Sequence, residues 1–578
     1  MFRHDGSHEN RAVPVSVSAL YDGASVSASH QQYDQTLLRD LMARSRAHEA
    51  SEGAGIRFAN QAVARLVEAG GSPKHLRAVE TLLKERGALD LPVIEAGSVR
   101  VDGEARRVSI VAATDIAADP TVRHGEMSTM FYLRDHVQCA SAMMELFLTD
   151  PVRYAKEGDI GRELIHSALH LISTPAQLAR FAAVVRRGDT GQDEWPHISL
   201  WFDDLEAEKP NAWRNKQDSF QMLAFLVLDA LDRGFIGTDE LLSAHREFLR
   251  FVVPFLRAVG FPRYESSGSW EEIAARRTSV MAVETALLHR IRVLTDNGKL
   301  GFLADGEDFT TRVGTMVDAG LREIGRRIPF ESPDYELDSI RYRRADATLV
   351  YLLMYGLPEL LAEARVPIGE PARPMTAREV ETVVLDALLP LADPVTGGFI
   401  RYAEDSYQRV NFHTHEVQAT VRAIKEDIRA DAEARGGDVD LDRKQVMRGR
   451  LTPRGREAAW THPLGQLAAW AARRSLHTRS SDPEQARNYR EFAVRHLNSM
   501  LATVTGEDQW HAVLREDDGY HVREVPPYRV PECYVTYRDD QGNELIVPSP
   551  HTPLNWSTAM LRTALGLLAT EDHAHRQP

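Results

Sequence analysis

Several short segments of the sequence place an aromatic side chain next to charged hydrogen-bonding groups. In the segment SSGSWEE, residues 266–272, Trp270 is followed directly by Glu271 and Glu272. Because adjacent residues do not share a helix face, the two carboxylates are expected to have different roles. One interpretation is that the acids cap the next helix, since negative charge is favoured at a helix N-terminus. The other is that the ring is a binding platform with a proton donor beside it.

Four further segments combine the same residue types and lie between stretches with helical periodicity. They are MFYLRDH with Arg134 and Asp135, NAWRNKQDSFQ with Trp213 and Asp218, GGFIRYAEDSYQRVNF with Arg401, Tyr402 and Asp405, and residues 531–560 with Glu532 and Trp556. Each segment alone has a structural interpretation as a local ion pair, a helix N-cap or a helical salt bridge. Together they predict a binding site carried by loops on a rigid scaffold.

Aromatic rings combined with fixed charged groups are what a neutral polyhydroxylated ligand requires. The rings cover the apolar C–H faces of a sugar, and the charged groups make strong directional hydrogen bonds to its hydroxyls. Carboxylates also catalyse glycosidic cleavage, in which one donates a proton to the leaving oxygen and the other activates water. An inverting site needs carboxyl groups about 6.5–9.5 Å apart across the sugar, so the neighbours Glu271 and Glu272 cannot be that pair. Glu532 is the best candidate for the partner.

The five segments resemble, in the same order, segments of the glucoamylases of glycoside hydrolase family 15. SGSWEE is similar to that family's Trp-Glu-Glu segment, and YLRDHVQCA is similar to its Arg-Asp segment. W…QDSF resembles its Trp…Gln-x-Asp segment, RYAEDSY its Arg-Tyr-x-x-Asp-x-Tyr loop, and TPLNWSTA its Pro-Leu-x-Trp-Ser/Ala segment. The resemblance covers about residues 125–570. It implies an all-α (α/α)6 barrel, with six inner and six outer helices and the site in a pocket at one end.

The resemblance also implies roles for individual residues. The general acid falls on Glu271 and the general base on Glu532, while Glu272 would contact a sugar hydroxyl or tune its neighbour. This sequence departs from the family pattern in two places: Phe-Tyr-Leu precedes the Arg-Asp pair instead of the common Trp-Pro, and Cys533 follows the base where glutamine is frequent. The substrate-binding residues implied by the resemblance are Arg134, Asp135, Trp213, Asp218, Trp270, Glu272, Arg401, Tyr402, Asp405 and Trp556.

The expected activity is inverting hydrolysis that releases glucose from the non-reducing end of a small α-glucoside or oligosaccharide. One set of alternatives changes the outcome in the same pocket: a trehalase, an isomalto-type glucosidase or a glucosyltransferase. The other is a non-catalytic sugar-binding regulatory domain like those of phosphorylase kinase regulatory subunits. Two candidate catalytic acids in separate segments favour the enzyme.

Composition and charge favour small-molecule chemistry over binding to polyanions. The 578 residues carry a formal net charge of -15, which would repel phosphate backbones and anionic lipid. We therefore expect neither a nucleic-acid nor a membrane partner, and a homodimer is one alternative for the assembly. The N-terminal residues have no apolar core of signal-peptide length, and no run of about 18 apolar residues occurs. These features predict a cytoplasmic protein.

No cofactor or catalytic metal is expected. The two cysteines, Cys139 and Cys533, cannot form a zinc cluster by themselves. His166 and His170 have the i, i+4 spacing of zinc ligands, but no glutamate follows the first histidine as it does in H-E-x-x-H. The pair formed by His413 and His415 is also interpreted as satisfied or surface histidines.

The sequence predicts one large helical domain with an extension before it. Residues 1–33 are polar and predict a flexible arm, 34–120 a helical and β extension that packs on the barrel, 121–570 the catalytic barrel and 571–578 a tail. Within the extension, helical patterns cover about 34–50, 57–70 and 74–87, and alternation around Asp102-Gly103 predicts a β hairpin in 99–115. The charged insertion 425–450 predicts a solvated excursion.

Overall fold

The computed structural model describes most of the chain from residue 59 to residue 570. The described ranges are 59–67, 71–114, 130–188, 195–201, 204–205, 218–270, 274–303, 308–337, 341–369, 372–393, 396–403, 457–507, 509–515, 519–538, 544–549 and 551–570, with the single residues 306, 339, 405, 430 and 434. The predicted arm and tail lie outside these ranges, as does nearly all of the predicted charged insertion.

The described part of the chain is mainly helical. Its helices are α1 (Gln61–Leu66), α2 (Pro73–Glu85), α3 (Leu133–Thr149), α4 (Ala155–Ile172), α5 (Pro175–Arg187), α6 (Asp218–Asp232), α7 (Ser243–Ala258), α8 (Thr278–Asp296), α9 (Phe309–Arg327), α10 (Val350–Met354), α11 (Leu357–Glu363), α12 (Ala377–Leu388), α13 (His462–Thr478), α14 (Pro483–Ala502) and α15 (Asn555–Thr570).

Six of these helices form a closed inner ring. Around the ring α3 packs on α6, α6 on α8, α8 on α10, α10 on α13, α13 on α15, and α15 returns to α3. Inner helices must be apolar nearly all round, and α15 is an example, since it buries every side chain from Trp556 to Ala569 except that of Arg562. Glycine allows close contact in the ring: a Cβ on Gly566 would lie 2.2 Å from Leu146 of α3.

The other long helices pack outside the ring, mostly beside their neighbours in sequence. Helix α4 packs on α3, α9 on α8, α11 and α12 on α10, and α14 on α13, while α2 covers α15. These outer helices have one apolar stripe, as in α9, where Val313, Val317, Leu321 and Ile324 recur every three or four residues and are buried. The paired inner and outer helices confirm the predicted (α/α)6 barrel.

The strands of the described ranges form small antiparallel pairs and one larger sheet, and none of these sheets closes. The strands are β1 (Val93–Val101), β2 (Glu104–Val111), β3 (Met130–Tyr132), β4 (Ser199–Trp201), β5 (Pro367–Ile368), β6 (Arg373–Pro374), β7 (Phe399–Ile400), β8 (Ala459–Trp460), β9 (Trp510–Arg515), β10 (Gly519–Glu524), β11 (Cys533–Arg538) and β12 (Glu544–Pro548). The four-stranded sheet has the order β12-β11-β8-β7.

The first hairpin is where the sequence predicted it. Strands β1 and β2 pair antiparallel around Asp102 and Gly103, whose φ angles of 51° and 81° are typical of a two-residue hairpin turn. The pairing begins at Val93, earlier than the predicted start at residue 99, because a bulge between Glu95 and Gly97 lets the first strand continue. The four-stranded sheet was not predicted.

Among the described residues, no single helix combines the length and hydropathy needed to cross a bilayer. Taken together, α4 and α5 reach those values by length and composition alone, but the two helices meet at an angle of 61°.

Candidate active site

The inner ring brings the beginnings of its six helices together at one end. Some of these helices begin with a polar or aromatic residue of the candidate site. The others directly follow a segment that carries such a residue. Hydrogen-bonded and stacked side chains join these starts, as in the contacts of α3 with α6 and of α13 with α15. Helix N-termini carry partial positive charge, so this end of the ring favours carboxylates.

A buried ion pair joins the first two inner helices. Arg134 of α3 donates from Nε to Oδ2 of Asp218 (3.1 Å) and from Nη2 to Oδ1 (2.9 Å), in the bidentate geometry that makes such pairs strong. The Arg134 side chain is 5% exposed and that of Asp218 is fully buried. The hydroxyl of Ser269 adds a third hydrogen bond to Asp218. The pair therefore fixes the starts of two helices and the segment that precedes Trp270.

The segment that carries Trp270 and the two candidate acids begins and ends at residues that are hydrogen-bonded to each other. Its ends are joined by reciprocal backbone hydrogen bonds between Ser266 and Ala275, at 2.9 and 3.0 Å. Arg134 also donates to the carbonyl oxygens of Gly268 (3.2 Å) and Ser269 (2.8 Å). Gly268 has a φ of 62°, and a Cβ there would lie 2.4 Å from the Arg277 side chain. The loop is thus held on both sides of Trp270.

Trp270 is the last described residue before Glu271 and Glu272. Its indole N–H donates to Oδ1 of Asp346 at 2.7 Å. The same carboxylate accepts from the backbone N–H and the hydroxyl of Thr348, at 2.9 and 2.7 Å, and so begins the short helical turn before α10. Trp270 therefore connects the loop to a fourth inner helix.

A second buried carboxyl group lies near Asp346. Glu331 accepts hydrogen bonds from the backbone N–H and the hydroxyl of Ser279, at the start of α8. Burial first, and then the charge of Asp346, raise the pKa of Glu331 to about 8. Burial also raises the pKa of Asp346. The charge of Arg277 acts in the opposite direction on both groups. This side of the loop thus combines two buried carboxyl groups with one arginine.

Arg401 fills the space between aromatic rings. Its guanidinium donates from Nε to Oδ2 of Asp405 (2.7 Å) and from Nη2 to Oδ1 (2.5 Å). The guanidinium carbon lies 5.2 Å from the ring of Trp270, 5.3 Å from that of Trp460 and 5.6 Å from that of Tyr402. Cation–π attraction at these distances fixes the ring faces as well as the cation.

The aromatic cluster continues into the last two inner helices. The rings of Trp270 and Trp460 are 5.0 Å apart, and His462 stacks on Trp556 at 4.2 Å. Burial lowers the pKa of His462 to about 3, with the charges of Arg134 and Arg401 adding to the effect. His462 is therefore a neutral ring that lies between both arginines.

Glu532 lies at the edge of the four-stranded sheet, directly before β11. Its backbone N–H donates to the carbonyl of His551 (3.0 Å), and its own carbonyl accepts from the N–H of Thr461 (3.1 Å), one residue before α13. The side chain is 4% exposed. Burial and then the charges of Glu532 and Asp405 raise the pKa of the Cys533 thiol, while a hydrogen bond with Ser549 and the charge of Arg401 lower it. The sheet thus brings the predicted base beside Arg401 and Asp405.

The structure brings most of the predicted site residues together. The residues in this cluster are Arg134, Asp218, Trp270, Arg401, Tyr402, Asp405, Glu532 and Trp556. Asp135 follows Arg134 on α3 and is half-buried. Trp213, Glu271 and Glu272 lie outside the described residues. The described cavity of about 1290 Å³ is not here but at the other end of the ring.

Four members of the cluster were not found from the sequence. Trp460 and His462 sit in AAWTHPLGQ, which has the same signal as the five chosen segments, an aromatic and polar pair at a helix start. That segment could have been found. Asp346 and Glu331 carry no such signal, because Asp346 has the sequence context of an ordinary helix cap.

His166 and His170, which have the sequence spacing of zinc ligands, do not form a metal site in the described ranges. His170 contacts His245 through ring nitrogens 3.0 Å apart, and His166 lies near Glu240 at 3.2 Å. No group of three or more His, Cys, Asp or Glu side chains in the described ranges has a geometry that would hold a metal ion. His413 and His415 lie outside those ranges.

The buried ring of His462 predicts a measurable pH effect. An unfolded histidine takes up a proton below pH 6.5, whereas His462 resists protonation down to about pH 3. The unfolded state therefore binds more protons in this window, and this group removes stability as the pH falls. The His462→Gln variant should lack this effect, so between pH 6.5 and 4 its free energy of unfolding should fall less steeply, by up to about 1.4 kcal/mol per pH unit. Urea denaturation of both proteins across that range measures the slopes, and equal slopes would contradict the assignment.

Comparisons with known proteins give structural matches only. No protein-family model matches the sequence, and no curated protein matches it. The chain is similar to a glycosidase solved in complex with glucose, at 14% identity and a TM-score of 0.45, covering 88% of this chain and 98% of that one. It is also similar to the glucoamylase of Hormoconis resinae, at 11% identity and a TM-score of 0.46, covering 86% of this chain and 73% of that one. A third match is the glucoamylase of Saccharomycopsis fibuligera, at 11% identity and a TM-score of 0.43, covering 89% of this chain and 96% of that one.

Proposed function

We propose that the protein is an inverting glycoside hydrolase that releases glucose from the non-reducing end of a small α-glucoside. The observation that carries the proposal is the convergence of five sequence segments at one end of the inner ring. They come from α3, α6, the loop before α8, the segment after β7, and the segments around β11 and α15. Segments this distant in sequence have no local reason to meet, and the polar groups they bring are those that bind and cleave a sugar.

In the proposed mechanism two carboxyl groups act on opposite sides of the sugar ring. Glu271 donates a proton to the glycosidic oxygen, and Glu532 accepts a proton from the water that attacks the anomeric carbon. The closed loop 266–275 supports this role for Glu271, because fixed backbone on both sides of the acid limits its positions. The position of Glu532 supports the other role, since the residue is buried and its neighbour Cys533 is close enough to Arg401 and Asp405 to feel their charges.

The remaining groups of the cluster are assigned to binding. The aromatic rings of Trp270 and Trp556 supply faces for the C–H side of the sugar. Arg134 and Arg401 are each held by a carboxylate in two-point contacts, which fixes the positions of their guanidinium groups beside the proposed sugar. Asp135, next to Arg134, supplies an acceptor for hydroxyls.

The proposal is tested by offering a panel of α-glucosides that includes maltose, isomaltose and trehalose. Proton NMR follows release of glucose and the anomer that forms first. Immediate appearance of β-glucose from an α-glucoside is expected, because a single displacement inverts the anomeric carbon. With maltose or isomaltose, α-glucose appearing first beyond the amount contributed by the reducing-end unit would contradict the mechanism. With trehalose one α- and one β-glucose are expected, because only one of the two anomeric carbons is attacked. Transfer to a second sugar would indicate a glucosyltransferase, and binding without turnover would indicate a regulatory sugar-binding domain.

Asp346 provides a further prediction about the loop. Asp346→Ala removes the acceptor of the Trp270 indole and of Thr348, which should lower kcat more than tenfold and destabilise the fold by about 1–3 kcal/mol for the buried donor left unpaired. Asp346→Asn keeps an oxygen at the same place, so it should retain kcat within a few-fold. Equal kcat values in the two variants would show that the indole hydrogen bond does not position the loop.

A further inference from the structure

A large cavity lies at the end of the ring opposite the candidate active site. Its volume is about 1290 Å³, and the last turns of all six inner helices line it. On α13, His462 belongs to the candidate active site and Arg473 lines the cavity, so the two are separated by eleven residues, or about 16 Å of helix. The cavity is therefore separate from the residues assigned to sugar cleavage.

The cavity wall carries more positive than negative charge, in contrast to the protein as a whole. Five arginines line it, at positions 77, 153, 233, 290 and 473, against the three acids Glu145, Asp150 and Asp229, so 5 − 3 leaves +2. Two acids behind the wall also contact these arginines, Glu80 with Arg153 and Asp232 with Arg290 (2.6 Å). They do not change the sum of charges, because Glu80 also pairs with Lys84 (2.9 Å) and Asp232 with Lys299 (2.8 Å). The whole chain has a formal net charge of -15. An excess of cations in one concave surface is thus a local feature.

Three of the arginines meet at two buried or half-buried acids. Arg233 pairs with Glu145 through Nη1, Arg290 pairs with Asp229 at 2.9 Å, and Arg473 lies 3.9 Å from Glu145. The arginines lower the pKa of Glu145, although its burial acts the other way. Burial raises the pKa of Asp229, and the charges of Arg290 and Arg233 act in the opposite direction. The contacts with the two acids thus fix the positions of the arginines.

The same three arginines keep N–H groups for a ligand. Their side chains are 28–35% exposed. A guanidinium has five N–H donors, and the described contacts of Arg233 use only Nη1, which leaves Nε and Nη2. Arg473 makes only a long 3.5 Å contact from Nε to the Ala469 carbonyl besides its contact with Glu145. Fixed guanidinium groups with free N–H donors are suited to two-point contacts with phosphate.

The C-terminal ends of the inner helices partly offset the positive charge of the arginines. C-terminal turns carry partial negative charge, and Arg77 is used there, since it donates to the carbonyl of Ala569 near the end of α15. An anion is therefore held by direct hydrogen bonds from Arg233 and Arg473 and not by the field of the ring. The half-buried side chains of Met354, Tyr355 and Leu476 give the cavity an apolar side for the rest of the ligand.

We propose that this cavity is a second binding site, which takes a small molecule carrying a phosphate group. Arg233 and Arg473 bind the phosphate oxygens, Arg290 holds the acid network, and the apolar side contacts the remainder of the ligand. A volume of this size fits a molecule as large as a phosphorylated sugar. The proposal does not depend on the hydrolase activity.

The test is isothermal titration of the full chain with glucose 6-phosphate and with inorganic pyrophosphate, with glucose as the uncharged probe. Both phosphate-bearing probes should bind, and Arg473→Gln should weaken both at least tenfold. Arg233→Gln should have a similar or larger effect. The control is Arg263→Gln, which removes the same charge from an exposed side chain outside the cavity and should leave binding unchanged.

Each outcome of this experiment decides the proposal. Arg233→Gln also leaves Glu145 with only its longer contact to Arg473 and can fail to fold. Arg473→Gln, whose contacts are weaker, is therefore the decisive variant once its thermal unfolding matches the wild type. Absence of binding by the wild type at millimolar probe overturns the site, as does equal binding by wild type and Arg473→Gln. Equal binding of glucose and glucose 6-phosphate overturns the role of the phosphate. Pyrophosphate contains no sugar, so its binding, and the loss of that binding in Arg473→Gln, separates this site from the proposed active site.

Discussion

Glu271→Gln should lose about 10²–10⁴-fold in kcat on an unactivated α-glucoside such as maltose, the range that general acid catalysis contributes. Glutamine has nearly the same shape as glutamate but carries no acidic proton, so the leaving oxygen would depart without protonation. Glu272→Gln is the matched control, because it makes the same change one residue away and should cost much less. Initial rates of glucose release for the three proteins at the pH optimum measure the effect.

The leaving group separates the two catalytic roles. An aryl glucoside with a weakly basic leaving group needs little protonation, so Glu271→Gln should recover much of its activity on that substrate. Glu532→Gln should remain slow on both substrates, because activation of water is needed whatever the leaving group. Near-normal turnover of maltose by Glu271→Gln would end the assignment of the acid. Recovery of Glu532→Gln on the aryl substrate would contradict the assignment of the base.

Asp218→Ala should destabilise the fold by about 3–5 kcal/mol, the cost of leaving a buried charge without its partner. Arg134 would keep its positive charge at 5% exposure and lose both contacts from Nε and Nη2, and the hydroxyl of Ser269 would lose an acceptor. Urea denaturation followed by circular dichroism measures the change. The comparison variant is Glu104→Ala, which breaks an exposed pair with Arg106 and should change stability little. A loss for Asp218→Ala as small as that of Glu104→Ala would show that Arg134 is paired elsewhere.

Much of the fold could be predicted from periodicity and turn chemistry. The apolar stripe of α9 and the Asp102-Gly103 turn are local signals, and both elements form where those signals lie. The four-stranded sheet could not be predicted in this way. Its strands β7 and β8 have two residues each, and β8 pairs with β11 more than 70 residues later, so no run of alternating residues marks the short strands.

The candidate site was predictable to the extent that its residues carry unusual local patterns. Trp270 and Arg401 stand in polar-aromatic segments, and the structure places the Arg401 cation 5.2 Å from the Trp270 ring. Asp346 and Glu331 depend instead on long-range contacts, in which Trp270 donates to Asp346 and Ser279 donates to Glu331. The folded chain buries both carboxyl groups and brings them close enough for the charge of Asp346 to act on Glu331. Such proximity has no local sequence signal, because neither residue differs from a helix cap or a surface acid until the chain folds.

The order of the inner helices has a consequence for how the protein is made. The first inner helix, α3, begins at Leu133, and the last, α15, ends at Thr570 and packs on α3. A chain emerging from the ribosome therefore carries five inner helices with an open seam until α15 follows. Contacts between such distant residues form slowly, and Leu146 and Tyr154, which α15 covers at Gly566, remain without that neighbour in the meantime. Nascent chains that stop before Asn555 should consequently require chaperone protection, and their candidate active site should not be assembled.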